Sequence, residues 1–215
     1  MSILVVGSTK GGSGKTTLAT NLAVLRTARR RSVLLIDGDK QENSLSFTQL
    51  RDDNLGNIGF AAVSLRNRLL SAQGADLAAK YDDTIIDVGG QDNLSLRAAL
   101  LIAETVLVPV QPRTYDILAF QQTLEIIEDA RAGNPHEIRV CTILNMADPA
   151  GRDNEEALEF LKGIEGIEVL GSIGRRKSFS NSSATGRAVT EYQPRDPKAI
   201  EEITALEKEI YKEED

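Results

Sequence analysis

The stretch Lys10-Gly-Gly-Ser-Gly-Lys-Thr-Thr17 stands between an apolar run at residues 3–7 and a helix-period segment that opens at Lys15. A glycine-rich turn between a strand and a helix is the setting a phosphate-binding loop requires. Gly11, Gly12 and Gly14 can take positive φ and let backbone N–H groups, that of Ser13 included, approach phosphate oxygens. The helix beginning at Lys15 turns its unsatisfied N–H groups and partial positive charge to the same place. Lys15 is therefore expected on the β and γ phosphates, the Thr16 hydroxyl on Mg2+, and Thr17 close to the α-phosphate. The ordinary pattern has a glycine where this chain has Thr9, and Lys10 is a second lysine in the loop.

Outward from that loop, apolar runs of strand length fall at residues 3–7, 32–37, 58–63, 84–88, 105–110, 139–145 and 167–173. Several are almost continuously apolar, which is how parallel strands read when helices cover both faces. Helix-period segments lie between them at residues 15–30, 65–80, 94–103, 116–132, 154–162 and 197–212, the fourth carrying Leu118, Phe120, Leu124, Ile127 and Ala130 near helical spacing. The alternation predicts an α/β fold: a doubly wound, mostly parallel sheet with helices on both faces, as in P-loop NTPases. Residues 175–197, rich in Ser, Arg and Gly, read as a long functional surface loop with room for a short helix. One domain is expected over residues 1–215.

Composition limits the alternatives. The chain has 215 residues, 41% hydrophobic and 27% charged, as in ordinary globular proteins. The one cysteine, Cys141, lies in an apolar run and reads as core, so no disulfide framework exists. The one histidine, His136, leaves no histidine triad and no His/Cys metal cluster. No apolar stretch reaches about 18 residues, and the start reads as a first strand rather than a signal peptide, so a cytoplasmic protein is expected. A net charge of −7 argues against a globally basic nucleic-acid binder but leaves room for a local basic patch.

Strands that end in a carboxylate place it at the carboxyl edge of the sheet, where open α/β folds bind ligands. Asp37, Asp39 and Asp87 are such residues. Mg2+ on a triphosphate needs one or two carboxylates acting directly or through water, and Asp87 is assigned to it together with Thr16. Asn145 and Met146 close the run 139–145 at the same edge, and Asn145 is expected to hydrogen-bond the base.

The sequence Lys-Gly-Gly-x-Gly-Lys-Thr-Thr resembles the deviant Walker A motif of the ParA/MinD family of ATPases. Val33-Leu-Leu-Ile-Asp-Gly-Asp-Lys-Gln41 is similar to that family's second motif, with Lys40 where proline is common. Tyr81-Asp-Asp-Thr-Ile-Ile-Asp87 resembles its Walker B strand. Gly171-Ser-Ile-Gly-Arg-Arg176 and Gly186-Arg-Ala-Val-Thr-Glu-Tyr-Gln-Pro194 resemble its C-terminal region. The resemblance implies ATP and Mg2+ as cofactors, Asp37 positioning or activating the attacking water, and Asp39 supporting it. It also implies that Lys10 reaches across an ATP-bridged homodimer to the partner's phosphates. After Asp87 the chain reads Val88-Gly-Gly-Gln-Asp92, without the proline many relatives carry nearby. The Asn145-x-x-Asp148 spacing also resembles the guanine-reading Asn-Lys-x-Asp pattern, with Met146 in place of lysine. The remainder resembles ATPases, and ATP is expected.

For output, the resemblance implies DNA bound without sequence preference, through Arg175, Arg176 and Lys177 with Arg187 nearby. Arg26 and Arg29–Arg31 form a second basic cluster, although cations also suit a helix C-terminus there. A membrane-docking C-terminal helix is not expected: residues 201–215 hold seven acidic residues against two lysines. A ParB-like centromere-binding or cargo adaptor protein is the implied partner, and a nucleoid-associated location follows. A metabolic or iron–sulfur ATPase on the same fold is the rival reading, opposed by the lone Cys141; a non-hydrolysing scaffold is another.

Overall fold

A computed structural model describes residues 1–90, 93–134, 137–148 and 152–212. Gln91 and Asp92 after the Walker B-like strand, His136, and the last three residues of the acidic tail lie outside them. The chain runs β1 (Ser2–Val6), α1 (Lys15–Ala28), β2 (Val33–Asp37), α2 (Asn43–Leu55), β3 (Ala61–Ser64), α3 (Asn67–Ala78), β4 (Asp83–Asp87) and α4 (Asn93–Leu100). It continues through β5 (Thr105–Val110), α5 (Thr114–Arg131), β6 (Arg139–Ala147), α6 (Arg152–Lys162), β7 (Glu168–Gly174), α7 (Lys177–Ser183) and α8 (Pro197–Tyr211).

The strands form one seven-stranded sheet in the order β3-β2-β4-β1-β5-β6-β7, and every neighbouring pair is parallel. The sheet is thus wholly, not mostly, parallel. Alternation along each strand divides two cores. Ile3, Val5, Leu34, Ile36, Ile86, Val106 and Val108 face α3, α4, α5 and α6. Leu4, Val6, Leu35, Ile85, Leu107 and Cys141 face α1, α2, α7 and α8. Because both faces are covered, strand residues of either parity are apolar, and each large side chain so buried stabilises by roughly 1.5–3 kcal/mol. On α5, Phe120, Ile127 and Ala130 are buried as the spacing requires, but Leu118 is 50% exposed and lies off the core face.

α2 is a helix the periodicity did not announce. Its buried residues are Ser44, Phe47, Thr48 and Arg51, a largely polar face. Arg51 donates Nη1 to Glu191 Oε2 at 2.6 Å and Nη2 to Oε1 at 2.8 Å, and Nη1 also reaches the Gly186 carbonyl at 3.1 Å. Gly186 has φ 65°, and a Cβ there would lie 2.2 Å from the Arg51 nitrogen. α2 is therefore pinned to the segment that follows α7.

Three arginines of the second basic cluster, Arg26, Arg29 and Arg31, are paired with carboxylates of the same chain. Arg26 Nε donates to Asp83 at 2.8 Å, Arg29 Nε to the buried Glu207 at 2.7 Å, and Arg31 Nε to Asp83 at 3.4 Å. Asp83 opens β4, so this cluster sits at the amino edge of the sheet. Arg175 and Arg176 follow β7 at the carboxyl edge. The two clusters do not share a surface. α8 starts on an Asp196 cap that accepts from the Ala199 nitrogen at 3.1 Å, with Pro197 in the first turn. Glu202 and Glu207 of this acidic helix turn inward to arginines.

Candidate functional site

Parallel register sets the site. Val6 pairs with Asp87 and Asp37 pairs with Asp87, so the phosphate-type loop and two carboxylates end at one edge, side by side. Gly12 and Gly14 take φ 77° and 89°, the left-handed region that glycine alone enters without strain. A Cβ on Gly14 would also stand 2.3 Å from Asn145 Nδ2. That amide donates to the Ser13 carbonyl at 2.7 Å, and Gln111 Nε2 donates to the Gly12 carbonyl at 2.7 Å. Two side chains thus hold the loop from outside, so that its N–H groups can face inward.

The residue in the place of the missing glycine has a local role. Thr9 donates its Oγ1 to the Ala119 carbonyl at 2.9 Å and its N–H to Thr123 Oγ1 at 3.1 Å, tying the loop to α5. Lys15 Nζ lies 2.5 Å from the Lys10 carbonyl and 3.3 Å from Ser8 Oγ. Burial lowers its pKa, while Asp87 and Asp39 raise it.

Asp87 is buried, and its Oδ2 accepts from Thr16 Oγ1 at 2.7 Å and from Ser44 Oγ at 2.6 Å. Burial pushes its pKa up to about 6 against the opposing pull of those two hydroxyls. Asp37 is buried as well: Oδ1 accepts from the Asp39 nitrogen and Oδ2 from the Leu45 nitrogen, each at 3.0 Å. Burial raises its pKa too, offset in part by these N–H groups. Asp39 Oδ1 accepts from the Gln41 nitrogen at 3.0 Å, and a Cβ on Gly89 would run into the Asp39 carboxylate at 2.5 Å. A Cβ on Gly90 would meet the Lys10 carbonyl oxygen at 2.5 Å. The turn after β4 therefore touches both the loop and Asp39.

Lys15, Thr16 and Asp39 border a cavity of about 940 Å3, walled also by the loop glycines, Thr17, Gly90 and Met146. Thr16 and Asp87 offer hard oxygen donors in contact, which suits Mg2+. Among the described residues no group of three or more His, Cys, Asp or Glu could hold a metal ion. A metal here therefore needs phosphate oxygens and water to complete its shell. A second cavity of about 250 Å3 adjoins Gly14 and Thr17 and is lined by Asn145, Met146, Ile173 and Phe179. Its apolar walls beside the loop suit a base. One N–H of the Asn145 amide is engaged on Ser13, which leaves its second N–H and its carbonyl oxygen for a ligand.

The expected DNA-contacting residues divide. Arg175 Nε lies 3.6 Å from Asp148 and its side chain is 48% exposed. Lys177 opens α7, and Arg187 donates to the Thr185 carbonyl at 3.4 Å. Arg176 is held by Glu202. Sequence reasoning missed Ser44, Gln111 and Glu202. Gln111 directly follows a buried strand at the carboxyl edge, which was the available signal; Ser44 and Glu202 gave none, because their partners are remote in the chain.

Residues 4–189 match the CobQ/CobB/MinD/ParA nucleotide-binding domain family. Maintenance of carboxysome distribution protein A of Halothiobacillus neapolitanus is 29% identical over 96% of this chain and 95% of its own length. Chromosome partitioning protein ParA of Myxococcus xanthus is 26% identical over 98% of this chain and 88% of its own. The ATP complex of Cyanothece McdA shares the fold, with a TM-score of 0.80 at 22% identity over 100% of this chain and 98% of that one. Among the described residues no helix is long and apolar enough to cross a membrane.

Proposed function

The chain belongs to the CobQ/CobB/MinD/ParA nucleotide-binding family as a ParA/MinD-type ATPase, and on that premise we propose that ATP and Mg2+ close two copies into a DNA-binding dimer that positions a cargo. The observation that carries this is the single edge on which the loop at 10–17, Asp37 and Asp87 meet, with Arg175 and Lys177 at the wall of the neighbouring cavity. Lys15 exchanges the Lys10 carbonyl for phosphate oxygens. Thr16 and Asp87 would hold Mg2+, which would supply charge neutralisation on the phosphates. Asp37, fixed through both oxygens, orients the attacking water and takes its proton as the bond from the γ-phosphorus to the bridging oxygen breaks. Lys10 crosses to the partner copy's phosphates.

Two relatives support two cargoes. The ParA match favours a plasmid or chromosome, and the carboxysome-distribution match favours a protein body carried on the nucleoid. The latter spans 96% of this chain and is as strong a guide as the former. In either case a ParB-like or adaptor partner stimulates hydrolysis and release. The test is binding to nonspecific duplex DNA with ADP or a slowly hydrolysed ATP analogue. Salt-sensitive binding with the analogue alone, lost in Arg175→Ala/Lys177→Ala, is the expected result. ATP turnover with no DNA binding in either state would leave a metabolic or protein-directed ATPase.

A further inference from the structure

Arg176 stands apart from the other cations of its cluster. Its guanidinium donates Nε to Glu202 Oε2 at 3.0 Å and Nη2 to Oε1 at 2.5 Å. Glu202 comes from α8, and its Oε2 also accepts the Gly174 N–H at 3.1 Å. A Cβ on Gly174 would lie only 3.1 to 3.4 Å from Nη2, Cζ and Nε, so the guanidinium rests against the bare Cα of the strand end. Arg176 and Glu202 are just 24% and 23% exposed, against 48% for Arg175. Arg176 is one of the residues that line the smaller cavity, with Arg175, Lys177, Gly14, Ile173 and Phe179, and it is the one of the three cations held there by a bidentate carboxylate.

A cation paired this closely with a carboxylate projects little net field to distant phosphates, so it is a poor contact for a DNA backbone. Its planar, weakly hydrated surface nevertheless remains suited to stacking on a ring. Arginine is the residue for that role, since a lysine in the same place offers a point charge and no plane.

We propose that Arg176, locked by Glu202, is a base-binding residue: its guanidinium stacks on the purine of the nucleotide and is not part of the DNA-binding face. Glu202 is its positioning residue. The assignment rests on the reading of the larger cavity as the phosphate site, and it adds α8 to the elements that respond to an occupied base pocket.

The experiment compares ADP with inorganic tripolyphosphate, which has the phosphates but no base. Affinities for both are measured by calorimetry with Mg2+ on wild type, Arg176→Ala, Arg176→Lys and Glu202→Gln. The expected result is a loss of roughly tenfold in ADP affinity in all three variants, the size of a partly desolvated cation–π contact, with tripolyphosphate affinity unchanged. DNA binding at saturating ATP analogue should remain. Arg176→Lys keeps the charge, so it separates loss of the plane from loss of folding; nucleotide-free melting of each variant checks the rest. Equal losses for ADP and tripolyphosphate, or intact ADP affinity with lost DNA binding, would overturn the inference. Wild-type protein that binds tripolyphosphate but not ADP would overturn it while sparing the phosphate site. Binding of neither would overturn the underlying reading as well.

Discussion

Asp87 is a carboxylate that the fold keeps at a cost until a cation arrives. Its pKa, about 6 in the folded chain, lies above the ordinary value of 3.8, so the native state binds the proton more firmly than the unfolded state does. The stability this proton provides is present below about pH 4 and is lost as pH rises through 6, with an upper bound of about 3 kcal/mol. Asp87→Asn should therefore stabilise the nucleotide-free protein by about 1–3 kcal/mol at pH 8 and hardly at all at pH 4. Urea unfolding at the two values measures it, and an equal effect at both would dismiss the titration. The same variant should lose Mg2+-dependent nucleotide binding. Asp37→Ala, by contrast, should keep nucleotide and lose turnover by roughly 100-fold or more, as expected for removal of a general base, in a steady-state phosphate-release assay. Gly14→Ala should abolish nucleotide binding outright, because φ 89° and the nearby Asn145 amide both exclude a methyl group.

At the scale of elements, α2 is the connection between chemistry and surface. Ser44 and the Leu45 nitrogen hold Asp87 and Asp37 at one end, and Arg51 holds Glu191 and the Gly186 carbonyl toward the other. Arg51→Ala leaves the solvent-exposed Glu191 without its bidentate partner and the Gly186 carbonyl without its donor, and should cost about 1–3 kcal/mol of unfolding free energy. The double variant with Glu191→Ala should cost less than the sum of the two, and strict additivity would show that the pair contributes nothing. This helix also shows where reading the sequence stops. The strands were legible because both faces of a parallel sheet are apolar, and the loop at 10–17 because glycines and lysine there have little other use. α2 was not legible, since its buried positions are Ser44, Thr48 and Arg51 around a single Phe47. The carboxylates that Ser44 and Arg51 meet are 43 and 140 residues away, and periodicity carries no trace of them. For the same reason Arg29 and Arg31 resembled a free basic patch until Glu207 and Asp83 closed on them.

For the whole molecule, a net charge of −7 means that attraction to DNA must come from a small area at the carboxyl edge. If one copy presents Arg175, Lys177 and Arg187, the logarithm of affinity should fall with the logarithm of salt with a slope of about −3, and a dimer should give about −5. A slope near −3 with the ATP analogue would argue against two copies acting together. A different consequence lies in Cys141, fully buried in β6 with its thiol pKa pushed by burial to about 11. Such a sulfur is inert toward alkylating reagents until the strand leaves the sheet. The chain therefore carries a built-in recorder of its own lifetime in the closed form. Alkylation marks one opening of each molecule, and where opening releases the nucleotide the time to labelling should lengthen by a factor of one plus the ratio of free nucleotide concentration to Kd.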